Sequence, residues 1–406
     1  MFNSLQQQPA DKILALMQLY KDDPRENKID LGVGVYKDAS GQTPIMDSIK
    51  KAEHLLWKTQ ETKSYVGLTG TPEFSEAMIN LLLGDKFDRN LIASAATPGG
   101  TGAVRQAFEL GKMANPNLRV FVSDPTWPNH LSILKYLGIP VEPYRYFDAE
   151  TRSVDFSAMM ADLANASEGD IILLHGCCHN PTGQDMTVDQ WIELAEVVNQ
   201  IGALPFVDIA YQGFGEGIEE DVAGVRAFAE RVSQMLLTVS SSKSFGIYRE
   251  RAGLLSVIVS PDGSDVESVR RKLRDTVRQL YFMAPDHGAA VVHEIMSTPD
   301  LELMWREELD AVRTHVHAMR KSLRETLETA NPDFDAAFVE RQHGMFSCLP
   351  ITVDEQLQME RDYHIYMLPD ARVNVAAMNA AQSAILAEAF AAIRASRRAE
   401  SQITTA

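Results

Sequence analysis

The amino-acid sequence predicts an α/β protein made of one large domain, whose mostly parallel sheet is covered by helices, and one smaller α+β domain. Three observations carry this expectation. Between about residues 46 and 310, short and almost continuously apolar runs alternate with stretches of helical period, as expected of strands buried on both faces. After about residue 299 the pattern changes to one long charged helical stretch followed by several short strand and helix candidates. The 406 residues also exceed what one domain usually holds, roughly 100–200.

Residues 1–12 carry Gln, Pro and Asp without an apolar period and read as an extended arm. Residues 11–21 (DKILALMQLYK) read as a short amphipathic helix, and IDLGVGVYKDASGQTP as a strand, a loop and a turn, because Asp-Ala-Ser-Gly supplies turn chemistry. The strongest strand candidates are 119–124, 170–176, 203–210, 235–240 and 253–260, with helices expected among them at 102–114, 187–201 and 222–232. The charged helical pattern at 299–328 precedes strand candidates around Phe338, Met345–Cys348, Ile365–Met367 and Arg372–Val375, and helices near 352–362 and 379–394. The expected division is an arm (1–12), a small domain from 13–45 and 311–406, and a large domain at 46–310.

With 38 basic and 56 acidic residues the net charge is −18, which argues against a nucleic-acid or anionic-membrane partner. An anionic ligand would have to rely on a few placed cations. Three cysteines, two of them adjacent, make a poor disulfide framework and fit a reducing compartment. No apolar run approaches the ~18–20 residues of a membrane span, and the N-terminus resembles neither a secretory signal nor an Arg-rich presequence. A soluble, cytoplasmic protein is expected.

The sharpest local feature is MLLTVSSSKSFGIYRERAG (235–253), where an apolar strand delivers small hydroxyls and then Lys243. A lysine just past a buried strand can project into a cleft, and its amine, if deprotonated, can condense with an aldehyde. An ordinary loop lysine is the bland alternative. In ALPFVDIAYQGF, Asp208 ends an apolar run where an unpaired carboxylate would be costly, unless it caps the next turn. In HGCCHNPTG, Asn180-Pro181-Thr182-Gly183 dictates a tight turn that leaves the Asn180 amide available. The histidines and cysteines there lack metal-ligand spacing, so no metal is expected. TPGGTGAVRQA opens a helix with glycines, an anion site that is weak evidence alone. SDPTWPNH sets Trp127 between prolines, as a ring-stacking platform or a packing residue. Arg278 and Arg372 suit carboxylate recognition or a structural ion pair.

Together TPGGTGA, SDPTWPNH, HGCCHNPTG, DIAYQGF, SSSKSFGIYRERAG, HGMFS and ARVNVAAM closely resemble the aspartate and aromatic amino-acid aminotransferases, class I enzymes of fold type I that use pyridoxal 5'-phosphate (PLP). The resemblance runs from LGVGVYKD to the last helix, and the ordered set is specific. It implies a seven-stranded type of sheet in a large PLP-binding domain, and a homodimer. Lys243 would hold the cofactor as a Schiff base and shuttle the substrate proton. Asp208 would pair with the ring nitrogen, Tyr211 and Asn180 with the ring hydroxyl oxygen, and Trp127 would stack on the ring. Gly100, Thr101, Ser240, Ser242 and Arg251 would hold the phosphate, helped by Tyr65 of the other subunit. Arg372 would grip the substrate α-carboxylate, and Arg278, also acting across the dimer, a side-chain carboxylate. Gly34 and Phe346, with Trp127 and Asn180, would line the substrate pocket; His130 and His175 would support Asp208.

The resemblance implies ping-pong transamination between an L-amino acid, aromatic or dicarboxylic, and 2-oxoglutarate. The family's Tyr before the Ser-Lys pair is replaced by Ser241, and its polar stretch after the distal arginine by Leu280-Tyr281-Phe282-Met283-Ala284-Pro285. More apolar surroundings for Arg278 would let it swing aside and admit aromatic side chains. The alternatives are a strict aspartate aminotransferase and a PLP-dependent lyase or decarboxylase, since fold does not fix reaction. A regulatory protein on the same fold is disfavoured because Lys243 and Asp208 are both present.

Overall fold

The structure, a computed structural model, describes Phe2, residues 12–85 and residues 87–404. The arm expected at 1–12 lies, but for its ends, outside the described residues. The chain divides into two compact units, Met1–Thr43 with His315–Ala406 and Pro44–Thr314. The boundary falls within the helix Pro299–Ala330.

The larger unit is built on a seven-stranded sheet. In chain order its strands are β1 (Ile92–Pro98), β2 (Val120–Asp124), β3 (Val141–Arg145), β4 (Ile171–His175), β5 (Leu204–Ile209), β6 (Met235–Ser240) and β7 (Ala252–Ile258). In space they run β1-β7-β6-β5-β4-β2-β3. Only β7 is antiparallel to its neighbours. The five expected strands are all present. The other two carry little sequence signal, for different reasons. β1 reads IASAATP, poor in β-formers, and is held by seven residue pairs with β7. β3 contains Pro143, which the ladder tolerates because β3 is an edge strand.

Helices cover this sheet. Gly99–Ala114 packs Ala103, Val104, Ala107 and Phe108 into a core shared with Ile171, Phe206 and Leu236, and the Phe108 and Phe206 rings meet edge to face at 5.1 Å. Val188–Ile201 starts with a capping box in which Thr187 and Gln190 satisfy each other's backbone N–H groups. Among the described residues, no helix is long and apolar enough to cross a membrane.

In the smaller unit Ile29–Asp30 pairs in parallel with Ile365–Tyr366, and Phe346–Cys348 antiparallel with Arg372–Asn374. The strand expected around Phe338 is instead a short helix, Phe338–Arg341, and the Val339 carbonyl is taken by the Arg320 guanidinium rather than by a sheet partner. Arg320 is 2% exposed and also donates to Ser347 Oγ and to the carbonyls of His343, Gly344 and Phe346. It thereby fixes the Phe346 strand from within.

Candidate active site

Strand direction gathers the chemistry-bearing residues of the larger unit at one edge of the sheet. The C-terminal ends of β2, β4, β5 and β6 lead directly into Trp127, Asn180, Tyr211 and Lys243. Because β7 runs the other way, its N-terminal end faces the same edge: Gly253 pairs with Ser240, and Ala252 with Pro98, the residue before the glycine-rich turn. Arg251 thus arrives beside Gly99 and Ser242 although it is remote in sequence from the former.

Asp208 sits one residue before the end of β5. Thr238, opposite it on β6, donates its hydroxyl to Oδ1 at 2.6 Å, and His130 Nε2 lies 3.1 Å from Oδ2. Burial pushes the Asp208 carboxyl up, but the hydrogen bond and charge of His130, with the Thr238 hydroxyl, outweigh it and hold the group below the usual carboxylate range.

Behind Asp208 the hydrogen bonds have a definite direction. The Asn180 backbone N–H points at His175 Nδ1 at 3.4 Å, so that nitrogen is an acceptor. Burial, reinforced by the charge of His130 and opposed by Asp208, pushes the His175 pKa down to about 3, so near neutrality its single proton sits on Nε2. That proton faces Thr126 Oγ1 at 3.1 Å, and the same hydroxyl oxygen lies 3.1 Å from His130 Nδ1. His130 Nε2 is directed at Asp208. The chain from Asn180 to Asp208 therefore ends on a carboxylate that only accepts.

Lys243 is mounted rigidly. Ser244 Oγ donates to the Gln212 carbonyl at 2.7 Å, tying the lysine segment to the Tyr211 segment. Trp305 Nε1 donates to the Ser244 carbonyl at 2.9 Å, and its ring stacks on Phe245 at 4.4 Å with 7° between planes. The Lys243 ammonium lies 4.8 Å from the centroid of the Tyr211 ring. Ser241, standing where the family commonly has Tyr, is buried against Met78.

A compact anion cradle lies at the start of the helix Gly99–Ala114, whose N-cap is Pro98 with no side-chain cap. Arg251 Nη1 donates to Ser242 Oγ at 3.2 Å and to the Tyr248 carbonyl at 3.0 Å. A Cβ on Gly99 would meet Arg251 Nη2 at 2.3 Å, and one on Gly100 would meet the Ser240 Cβ at 2.9 Å. Gly99 also has φ +69°, so both its space and its backbone require glycine. A guanidinium, the Ser240 and Ser242 hydroxyls, the exposed Thr101 and uncapped helix N–H groups form a donor set suited to phosphate. Together with an ionised Asp208, this fits a phosphorylated pyridine whose ring nitrogen carries a proton.

Trp127 caps the helix Pro128–Leu137 and meets the His130 ring edge-on at 5.0 Å. Tyr65, 80% exposed, and the exposed Arg278 both neighbour the Phe282 ring, the Tyr65 centroid and Arg278 Cζ each 5.6 Å from its centroid. In the smaller unit, Arg372 is 2% exposed, donates to the Gly32 carbonyl at 2.9 Å, and lies 4.1 Å over the Phe346 ring. A Cβ on Gly34 would approach that ring to 3.0 Å, so Gly34, Phe346 and Arg372 form one group.

Cys177, Cys178 and Asp221 also bring possible ligand atoms together. The Asp221 oxygens, however, accept from the backbone N–H groups of Gly213, Gly215, Glu216 and Gly217, and His179 uses both ring nitrogens on Ser123 and Thr182. These groups build the loop. Sequence reasoning missed Thr126, Thr238, Trp305 and Arg320. Thr238 alone had a local signal, an isolated hydroxyl in an apolar strand.

A family model described as aminotransferase class I and II matches residues 26–390. The aromatic-amino-acid aminotransferase of Paracoccus denitrificans is 50% identical over 390 residues, covering 96% of this chain and 99% of its own. The aspartate aminotransferase of Escherichia coli K12 is 41% identical over 400 residues, covering 97% and 100%. A solved aromatic amino acid aminotransferase with 3-indolebutyric acid superposes with a TM-score of 0.94 at 50% identity, over 97% of this chain and 100% of that one. The Burkholderia pseudomallei aromatic-amino-acid aminotransferase, covalently bound to pyridoxal phosphate, gives 0.93 at 36% identity, over 97% and 99%. On these matches, and with this arrangement of lysine, carboxylate and anion cradle, the chain belongs to the class I and II aminotransferases.

Proposed function

We propose that this protein transfers amino groups between L-amino acids, aromatic and dicarboxylic, and 2-oxoglutarate, using PLP held on Lys243. The observation that carries this reading is the presence, at one edge of the same sheet, of a rigidly mounted Lys243 and a carboxylate, Asp208, kept ionised by Thr238 and His130. When bound, PLP supplies an electron sink for the charge that develops at the substrate Cα. Asp208 keeps the ring nitrogen protonated, while Tyr211 and Asn180 hydrogen-bond the ring hydroxyl oxygen and Trp127 stacks on the ring. Gly100, Thr101, Ser240, Ser242 and Arg251 anchor the phosphate. The Lys243 amine, once free, would be placed to take and return the substrate Cα proton, so base and acid would be one residue.

Arg372 grips the α-carboxylate through two parallel N–H donors, with Gly34 and Phe346 shaping its surroundings. Arg278 meets a side-chain carboxylate, and Tyr65 a phosphate, in the site of a second copy. Both are exposed on this chain, as they must be to serve a homodimer. Cysteines without a disulfide and an acidic composition fit a cytoplasmic enzyme. Strict aspartate specificity is the second reading, favoured by the retention of Arg278.

A donor panel on the PLP-loaded enzyme, with 2-oxoglutarate as acceptor, tests the proposal. Turnover of phenylalanine, tyrosine and aspartate with ping-pong kinetics is expected. Turnover of aspartate alone would select the strict reading, and product formation without any acceptor would point to a lyase.

A further inference from the structure

We infer that Phe282 is a specificity-determining residue, its ring serving as the alternative partner of the Arg278 guanidinium when the substrate side chain carries no carboxylate. This rests on the transaminase reading above and on the role given there to Arg278.

Phe282 follows the helix Val266–Leu280, at whose last turn Arg278 stands. Its backbone has φ +64°, a conformation an L side chain with a bulky ring adopts at a cost. The conformation is imposed from both sides. The Phe282 N–H donates to the Val277 carbonyl at 2.8 Å, and Tyr281, just before it, is pinned by its hydroxyl to the Ala96 carbonyl and Gln106 Oε1. The anchored turn holds the Phe282 ring outward, 44% exposed, instead of burying it. A residue placed only for packing would have no reason to keep a ring at a glycine-favouring position on the surface.

The ring's neighbours supply the reason. Arg278 Cζ lies 5.6 Å from its centroid, within the ~6 Å reach of a cation–π contact, and the Tyr65 ring lies 5.6 Å away at 62°. Phe282 therefore neighbours both residues assigned to the second copy's site, and travels into that site with them. With a dicarboxylate bound, the guanidinium pairs with the distal carboxylate. With an aromatic side chain bound it loses that partner, and a desolvated unpaired cation would penalise binding. The Phe282 face, which already holds the guanidinium 5.6 Å from its centroid, offers the cation a partner and lowers that penalty. The polar residues the family commonly has in this stretch would instead hold the guanidinium toward a carboxylate.

The test compares kcat/KM for phenylalanine and aspartate in the PLP-loaded wild type, Phe282→Leu, Phe282→Tyr, Arg278→Ala and the double variant Arg278→Ala/Phe282→Leu. Leu keeps apolar bulk and removes the π face; Tyr keeps it. The contact predicts that Phe282→Leu lowers the phenylalanine-to-aspartate ratio roughly three- to tenfold, that Phe282→Tyr leaves it within twofold, and that Phe282→Leu changes nothing further once Arg278 is gone. A circular dichroism spectrum and melting temperature of Phe282→Leu matching the wild type report an intact fold. A ratio unchanged in Phe282→Leu, or an equal drop with and without Arg278, overturns the assignment in an enzyme that otherwise works as proposed. Failure of the wild type to turn over either donor overturns the transaminase reading and this one with it.

Discussion

Thr238 and Asp208 face each other in register across two parallel strands, and the threonine hydroxyl donates to Asp208 Oδ1 at 2.6 Å. With His130 on the other oxygen, both sides of the carboxylate are occupied by donors. The acid is therefore ionised by its strand neighbour and its histidine, against the effect of burial. Removing the hydroxyl in Thr238→Val takes away a pKa-lowering contact, so the Asp208 pKa must rise. The acid limb of kcat/KM should move to higher pH, and Thr238→Ser should restore it. A pH profile that does not move would show that Thr238 only packs.

His175 gives a pH dependence of stability with a definite sign. Its pKa falls to about 3 in the fold, first because it is buried, against 6.5 when free. Between those values the unfolded chain binds a proton that the folded one does not, so stability is lost as pH falls below 6.5. At pH 5 the loss from this group is about 2 kcal/mol. Melting of the cofactor-free protein between pH 7 and 5 should be steeper for wild type than for His175→Gln. Parallel slopes would contradict the buried neutral imidazole.

Gly99→Ala tests the anion cradle. The added methyl would overlap Arg251 Nη2 and sit on a backbone at φ +69°. The guanidinium must move away, and PLP affinity, followed by absorbance titration, should fall at least roughly tenfold, the value of ~1.4 kcal/mol. Unchanged affinity would place the phosphate elsewhere.

The Lys243 mount is separable from its chemistry. Trp305→Phe keeps a ring to stack on Phe245 but deletes the donor to the Ser244 carbonyl, at a cost of about 1–2 kcal/mol in denaturant unfolding. Arg320→Met should cost more, above about 3 kcal/mol, because it leaves several buried carbonyls without a donor.

Lys243, Asp208 and Asn180 stand out in the sequence because each lies at or just past the end of an apolar run, where a polar side chain is conspicuous. β1 was not, because alanine and serine have no strong preference and only pairing with β7 makes them a strand. Thr126 matters through loop placement, which no local pattern encodes, and Thr238, though visible as a lone hydroxyl in an apolar strand, matters through the register that sets it opposite Asp208. Trp305 reaches Ser244 across 61 residues, and Arg320 reaches Phe346 across 26, so their roles exist only once the chain has folded. The helix at Phe338 was misread because an apolar residue between polar ones has the same local appearance in either element.

The central claim is that one particular amine carries the cofactor. Borohydride reduction of the PLP-loaded protein, followed by proteolysis and peptide mass mapping, reads this directly. The account predicts a single pyridoxyl-phosphate adduct on Lys243, within the peptide that follows the strand Met235–Ser240. An adduct on another lysine, or none on a protein that still transaminates, would contradict it.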